Sequence, residues 1–366
     1  MVSVASLFVA FSAFAGAVSA VSNGVKIHPP LHTKGDLILD SNDNVVRLAG
    51  ANWFGVETEN FAPLGLSKRN YKDLLDQVKE LEFNTIRFPW CNEAFESKTK
   101  IPDGVIDYTL NPELKGKSPL QVYDAIIEYG TKIGLMFFLD RHRVNSTGQT
   151  ALWYTDEYPE SRWISDWKWL AGRYAKNPYV IGADLHNEPH EPACWGCGNS
   201  TIDWSIAAKK AGDAIHKVNP NWIIIVEGIG GYWWGGNLED AGKYPVVLQK
   251  KNKVVYSAHE YPHEVYNQTW FSDPTFPDNL PAIWDDHWGY IKQQKLAPVL
   301  VGEFGTFLRD LHDYQWLLAI TDYLGRNDTG YSWTFWCLNP ESGDTGGIFK
   351  SDWVTGKRVL ASLVSV

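Results

Sequence analysis

An α/β fold, a (β/α)8 TIM barrel in a single domain, is what the sequence predicts, and three observations carry it. Apolar, β-rich runs alternate with amphipathic helical stretches eight times along the chain. Most of the runs are continuous Val, Ile, Phe and Leu, as expected of strands buried on both faces of a parallel sheet. Eight units over about 320 residues also fall within the range of roughly 200 to over 400 that such barrels span. Alternation of this kind implies right-handed crossovers.

The elements follow in order. Residues 1–20 (MVSVASLFVAFSAFAGAVSA) are apolar and end in Val-Ser-Ala, which reads as a secretory signal peptide cut after Ala20. No Lys or Arg precedes the apolar run, so a signal anchor is the alternative. Residues 35–50 read as a β-hairpin turning at Ser41-Asn42-Asp43-Asn44, placed to plug the bottom of the barrel. The eight barrel strands are expected at 46–53, 84–89, 134–141, 179–186, 222–227, 253–259, 298–302 and 331–336. Helical patterns lie at 71–81, 120–132, 163–175, 202–218 and 314–324. No linker, low-complexity tract or fixed-period repeat divides residues 21–366, which are expected to form one domain.

Composition narrows the class. The 366 residues carry 43 acidic and 33 basic side chains, a net charge of −10, which argues against general nucleic-acid binding. At 44% hydrophobic and 14% aromatic, the chain is not disordered. Its 18 tryptophans point to carbohydrate as the first substrate class to test, because flat aromatic faces suit sugar rings. No later segment holds 18 uninterrupted apolar residues, so no membrane span is expected after signal cleavage; the signal peptide makes a secreted protein the expectation, and a monomer is expected. In an oxidising compartment, Cys194 and Cys197 in C-W-G-C favour a local disulfide. Cys91 and Cys337 either pair or remain thiols. Sequons stand at Asn145, Asn199, Asn267 and Asn327.

Barrel active sites occupy the C-terminal strand ends. Polar or amphipathic groups close every run: Asn52-Trp53, Arg87, Asp140-Arg141-His142, His186-Asn187-Glu188, Glu227, His259-Glu260-Tyr261, Glu303 and Trp336. Two carboxylates suffice for glycoside hydrolysis. On the sixth strand, His259 and Tyr261 share a face, so Glu260 points away as a structural partner. Asp140, two residues below His142, is a deeper support, and Glu227 stays an undecided third candidate. Glu188 and Glu303 end strands four and seven and can face each other across the mouth. Arg87 is placed to hold Glu303 ionised and Tyr261 to donate to it. The charge of Glu303, with partial burial, should raise the pKa of Glu188. Asn187 offers an amide for a sugar 2-OH, and Trp336 a stacking face.

The segments T-I-R-F-P, L-D-R-H-R, D-L-H-N-E-P-H, S-A-H-E-Y, V-G-E-F-G and W-T-F-W resemble family 5 glycoside hydrolases, from about Val25 to the C-terminus. A-N-W-F-G, H-N-E-P-H-x-P-A-C-W-G-C-G, Y-W-W-G-G-N and S-G-D-T-G-G look like its endoglucanase branch, which cuts β-1,4-glucan. The resemblance implies a retaining hydrolase with Glu188 as acid/base and Glu303 as nucleophile. Arg87, His142, Asn187, His259, Tyr261 and Trp336 match the remaining positions around the reacting sugar, and neither cofactor nor metal is implied. A mannanase or mixed-linkage glucanase is the alternative on the same barrel. The loops at Glu57-Thr58-Glu59-Asn60 and Asn145-Ser146-Thr147-Gly148 lack the cysteines that some relatives carry there.

Other matches fail on physical grounds. His259-Glu260-Tyr261-Pro262-His263 spells the H-E-x-x-H zinc pattern, but a strand-like run precedes it and Pro262 lies inside it. Asp328-Thr329-Gly330 and Asp344-Thr345-Gly346 resemble the aspartic-protease triplet without the two lobes that chemistry needs. Asp40 to Asn44 imitates an EF-hand start but reads better as a turn. Trp53, Trp233 and Trp234 are candidate sugar platforms, whereas Trp163, Trp167 and Trp169 lie in a helical pattern and are expected in the core.

Overall fold

The computed structural model describes residues 26–325 and 330–356. The segment read as a signal peptide, Asn327, and most of the first Asp-Thr-Gly triplet lie outside them. Strands β1 (His32–Lys34) and β2 (Leu37–Leu39) form an antiparallel hairpin. Eight parallel strands then close a barrel: β3 (Ala49–Asn52), β4 (Thr85–Cys91), β5 (Met136–Arg143), β6 (Val180–Asp184), β7 (Ile223–Glu227), β8 (Val254–Glu260), β9 (Val299–Phe304) and β10 (Ser332–Phe335), with β10 pairing β3. All eight expected runs become these strands. Every residue of β4, β6, β7 and β9 is buried, which is why their sequences lack polar alternation.

Helices α1 (Tyr71–Glu80), α2 (Pro119–Lys132), α3 (Glu160–Arg173), α4 (Trp204–His216) and α7 (Leu311–Leu324) cover the outside. Their starts are chemically marked. Asn70, Asp203 and Asp310 cap α1, α4 and α7, and Ser118 with Gln121 forms a capping box ahead of α2, whose first residue is Pro119. Two crossovers depart from the regular repeat. Between β8 and β9, α5 (Leu280–Trp284) and α6 (Tyr290–Gln293) are joined by a π-helical turn. The crossover from β7 to β8 has no helix; its Gly- and Trp-rich stretch is free to line the mouth instead. None of the described helices is long and apolar enough to cross a membrane.

The hairpin turns at Gly35-Asp36, earlier than expected, with Gly35 at φ 57°. The turn expected at 41–44 is present but closes a single bridge, Leu39 to Val45. The buried Asp40 carboxylate shapes it, accepting the backbone N–H groups of Asn42 and Asn44 at 2.9 and 3.0 Å. Leu31, Ile38, Val46 and Leu48 pack with Met136, Phe138, Ile181, Ile223, Ile225, Val255 and Leu300 in one apolar cluster. The lower barrel is thereby plugged by the N-terminal segment. Gly50 is required where β3 meets β4, since a Cβ there would lie 1.7 Å from the Thr85 carbonyl oxygen.

Candidate active site

Above the apolar plug the barrel interior turns polar. Arg87, fully buried on β4, reaches four carboxylates: Glu303 at 2.6 Å, Asp184 at 2.8 Å, Glu227 at 2.9 Å and Asp140 at 3.2 Å. It also donates to Asn52 and Asn187. Asn52 in turn donates to the carbonyls of Gly302, Thr334 and Phe335, tying β3 to its neighbour β10 and, across the barrel interior, to β9. The guanidinium supplies the positive centre around which Asp140, Asp184 and Glu227 gather.

The carboxylates at the ends of β6 and β9 come together as expected. An oxygen of Glu188 and one of Glu303 lie within 4.8 Å of each other, with a nitrogen of His259 in the same group. The His259 Nδ1 is 2.9 Å from Glu188 and 3.6 Å from Glu303. Arg87 and the Tyr261 hydroxyl, each at 2.6 Å, occupy the two oxygens of Glu303. Glu188 has left-handed backbone (φ 52°), uncommon for a residue with a side chain. Its N–H donates to Glu227 at 2.6 Å. The third carboxylate is thereby placed: Glu227 holds the Glu188 backbone and Arg87 together. Gly235 approaches from the β7–β8 crossover, at φ 71°, where a Cβ would meet Glu227 at 2.6 Å.

Burial pushes the Glu188 carboxyl up to about 7. Gln149, Arg87 and His190 pull the other way, and the like charge that adds to burial is Asp344. Of the two expected causes, burial is the dominant one, and the repulsion between the Glu188 and Glu303 charges registers at Glu303. Arg87, Tyr261 and His259 engage the Glu303 charge, leaving desolvation dominant at Glu188. Glu303 is also raised by burial, opposed by His259 and Arg87. Burial depresses His142 and His259 to about 4 each. Glu260 points away from the centre and accepts from Tyr232 and Trp233, and burial raises it to about 8. Asp140 lies beneath His142 and accepts from its Nδ1 at 2.6 Å.

The cleft has a volume of about 700 Å³. Trp336 lines it, stacked on His142 (5.1 Å between centroids) and on Phe54 (5.6 Å). Trp233 and Trp234 line it too, the latter half-exposed and stacked on His190 at 3.8 Å. The buried Asn187 Nδ2 has no protein acceptor, so its amide is available. Trp53 does not fit its expected role. It is fully buried, donates to the Leu64 carbonyl and stacks on Phe88, because Asn52 takes the inward position of β3. Trp163 and Trp167 are core as expected, whereas Trp169 is 44% exposed.

Several cleft residues escaped the strand-end search. Gln149 donates to Glu188 at 3.0 Å from the loop after β5, and Asp344 and the exposed Tyr266 line the walls. Only Asp344 had a signal, as part of S-G-D-T-G-G. Cys194 and Cys197 are bridged, while Cys91 and Cys337 are buried thiols. His263 pairs with Asp310 and Asp313 at the start of α7, at 3.2 Å each, whereas His259 stays on β8 between Glu188 and Glu303. The H-E-x-x-H spelling therefore has no helical site behind it.

Comparisons with known proteins agree with this geometry. An endoglucanase from Paenibacillus polymyxa is 50% identical over 365 residues, covering 97% of this chain and 91% of the relative. The major extracellular endoglucanase of Xanthomonas campestris pv. campestris is 39% identical, covering 89% and 69%. Its catalytic domain superposes with a TM-score of 0.86 at 38% identity, covering 91% of this chain and 98% of that one. A hyperthermophilic endocellulase from Pyrococcus horikoshii superposes equally well (TM-score 0.86, 39% identity, 92% and 98% covered). The family described as cellulase (glycosyl hydrolase family 5) matches residues 39–342. With that match laid over the barrel and its paired carboxylates, the chain belongs to glycosyl hydrolase family 5.

Proposed function

We propose that the protein is a secreted endo-β-1,4-glucanase acting by a retaining double displacement. The carboxylate spacing carries the mechanism. An oxygen pair within 4.8 Å falls on the side of the ~5–5.5 Å typical of retaining enzymes rather than the ~6.5–9.5 Å across which inversion places a water. Glu303 attacks the anomeric carbon while Glu188 gives its proton to the leaving oxygen. The glycosyl–Glu303 ester is then hydrolysed by a water that Glu188 deprotonates.

The two groups are prepared differently. Glu188, with a pKa near 7, keeps a proton to donate in mildly acid solution. Glu303 has Arg87 and Tyr261 as partners for its charge. The free Asn187 amide is placed for the 2-OH, and Trp336 gives the reacting ring a flat floor. The β-1,4-glucan substrate is supported by relatives named as endoglucanases and by a P. horikoshii endocellulase solved with cellotetraose. Secretion is supported by the apolar first twenty residues and by a relative described as extracellular.

Rates on carboxymethylcellulose, mixed-linkage glucan, xyloglucan and mannan test the substrate, and NMR of the first products tests the mechanism. Carboxymethylcellulose should be cut with β-configured products. A preference for mannan would overturn the substrate, and α-configured initial products the double displacement.

A further inference from the structure

We propose that the outside of the barrel carries a second carbohydrate site, built on Trp169 and separate from the cleft; its assigned ligand, a β-1,4-glucan chain, rests on the function proposed above. On α3, the apolar stripe Trp163, Trp167, Leu170 and Ala171 faces inward, and Trp169 stands off that stripe with 44% of its surface exposed. Beside it, between α3 and the 3-10 turn Glu93–Phe95, lies a cavity of about 180 Å³. Trp90, Asn92, Phe95, Arg162, Asp166 and Trp169 line it, and none of them lines the cleft.

The walls combine what a pyranose needs. Phe95 lies 6.4 Å from the Trp169 ring and stacks on Trp90 at 5.4 Å, giving flat apolar faces for the C–H side of a sugar. The polar wall is already ordered. Arg162 Nε donates to both oxygens of Asp166, and Asn92 Nδ2 donates to the same carboxylate at 2.7 Å. Trp90 is 1% exposed, yet its indole N–H has no protein acceptor. A buried donor without a partner is costly unless an acceptor reaches it, and a sugar hydroxyl is one. Arg162 and Asp166 neutralise each other, which favours an uncharged ligand. Arg173, paired with Asp124, lies 5.7 Å over the Trp169 ring and steadies it.

Engagement of one polymer chain at both places raises the effective concentration of glucan at the cleft, which a short oligosaccharide cannot exploit. The test compares Trp169→Ala with wild type, each also carrying Glu303→Gln, by affinity electrophoresis in hydroxyethylcellulose gels. Glu303→Gln prevents cutting and leaves the cleft equal in both. Active forms are assayed on cellotetraose, with thermal melts as a folding control. Trp169→Ala should weaken retardation about threefold to tenfold, with cellotetraose kcat/KM and melting unchanged. Trp169→Phe should recover most of the affinity. Equal retardation in a protein that hydrolyses cellotetraose overturns the second site and leaves the glucanase reading standing. Parallel loss of cellotetraose turnover overturns its separateness from the cleft. A wild type that cuts no β-1,4-glucan fails the functional reading itself.

Discussion

Replacing Glu188 by glutamine should make the protein more stable, and only above a definable pH. Burial lifts this carboxyl from 4.5 to about 7, so the folded state holds a proton more tightly than the unfolded chain. Between those values the folded form binds more protons. Stability therefore falls as pH rises from about 4.5 through about 7 and is flat beyond. A shift of about 2.5 units corresponds to about 3 kcal/mol. The Glu188 side chain is 13% exposed, so solvent screening reduces the expected difference to about 2 kcal/mol. Glutamine cannot ionise, and its side-chain oxygen still accepts from Gln149.

Calorimetric melts of wild type and Glu188→Gln from pH 4.5 to 8.5 give the assay. The variant should melt close to wild type at pH 4.5 and about 4 °C higher above pH 7.5, at about 2 °C per kcal/mol for a domain of this size. Asp184, Glu227 and Glu260 titrate in both proteins and cancel in the difference, whereas Asp140 and Glu303, both raised by the Glu188 charge, relax downward in the variant and add to its advantage at high pH. The basic limb of wild-type kcat/KM should fall near pH 7, where the free enzyme loses the same proton. A melting difference independent of pH, or a basic limb below pH 5.5, would refute the assignment of a desolvated proton to Glu188.

Three further outcomes follow from the packing. Arg87→Met strips four buried carboxylates of their cation and should cost about 3–5 kcal/mol at pH 7, less at pH 5 as the carboxyls take up protons; a melt within 2 °C of wild type at pH 7 would contradict this. Ile38→Ala should destabilise by about 2–4 kcal/mol through the barrel plug while leaving cellotetraose turnover per folded molecule intact, and a silent melt would mean the plug carries no load. Mass spectrometry after alkylation in denaturant without reductant should count two thiols, Cys91 and Cys337; four alkylated cysteines would show that Cys194 and Cys197 are not bridged.

What could be read from the sequence followed from how regular the burial is. Strands such as β4 and β9 are buried on both faces, so their apolar runs announce them. The missing helix after β7 was harder to read, because counting alternations supplies a helix wherever the barrel pattern expects one. Alternation, applied to β8, turned Glu260 outward correctly. The same rule on β3 would have turned Trp53 away from the cleft once Asn52 faced in. Helical spacing likewise separates Trp169 from Trp163 and Trp167, which a count of tryptophans on one helix does not. Gln149 and Tyr266 reach the cleft from loops, where no period constrains a side chain and tertiary contacts alone decide.

The charge balance beneath the site explains how one arginine can serve Glu303, the nucleophile of the proposed mechanism, among so many acids. Four buried carboxylates around a single guanidinium cannot all be ionised, since each unpaired charge bears its full desolvation cost. Burial raises all four: Asp140 to about 7, Asp184 and Glu303 upward, and Glu227 far upward. Protons on the supporting carboxyls leave the Arg87 charge to the group it touches most closely, Glu303 at 2.6 Å. Glu188 has no ion-pair contact with Arg87 and keeps its proton through desolvation. Strong acid removes the charge of Glu303. Alkali ionises Asp140 in the same range as Glu188, so it takes the Glu188 proton and dilutes the arginine's hold on Glu303 together. The buried cation thus bears on the acid edge through Glu303, desolvation of Glu188 sets the basic one, and the acids that look superfluous at the bottom of the site help to separate the proposed roles of the two at its top.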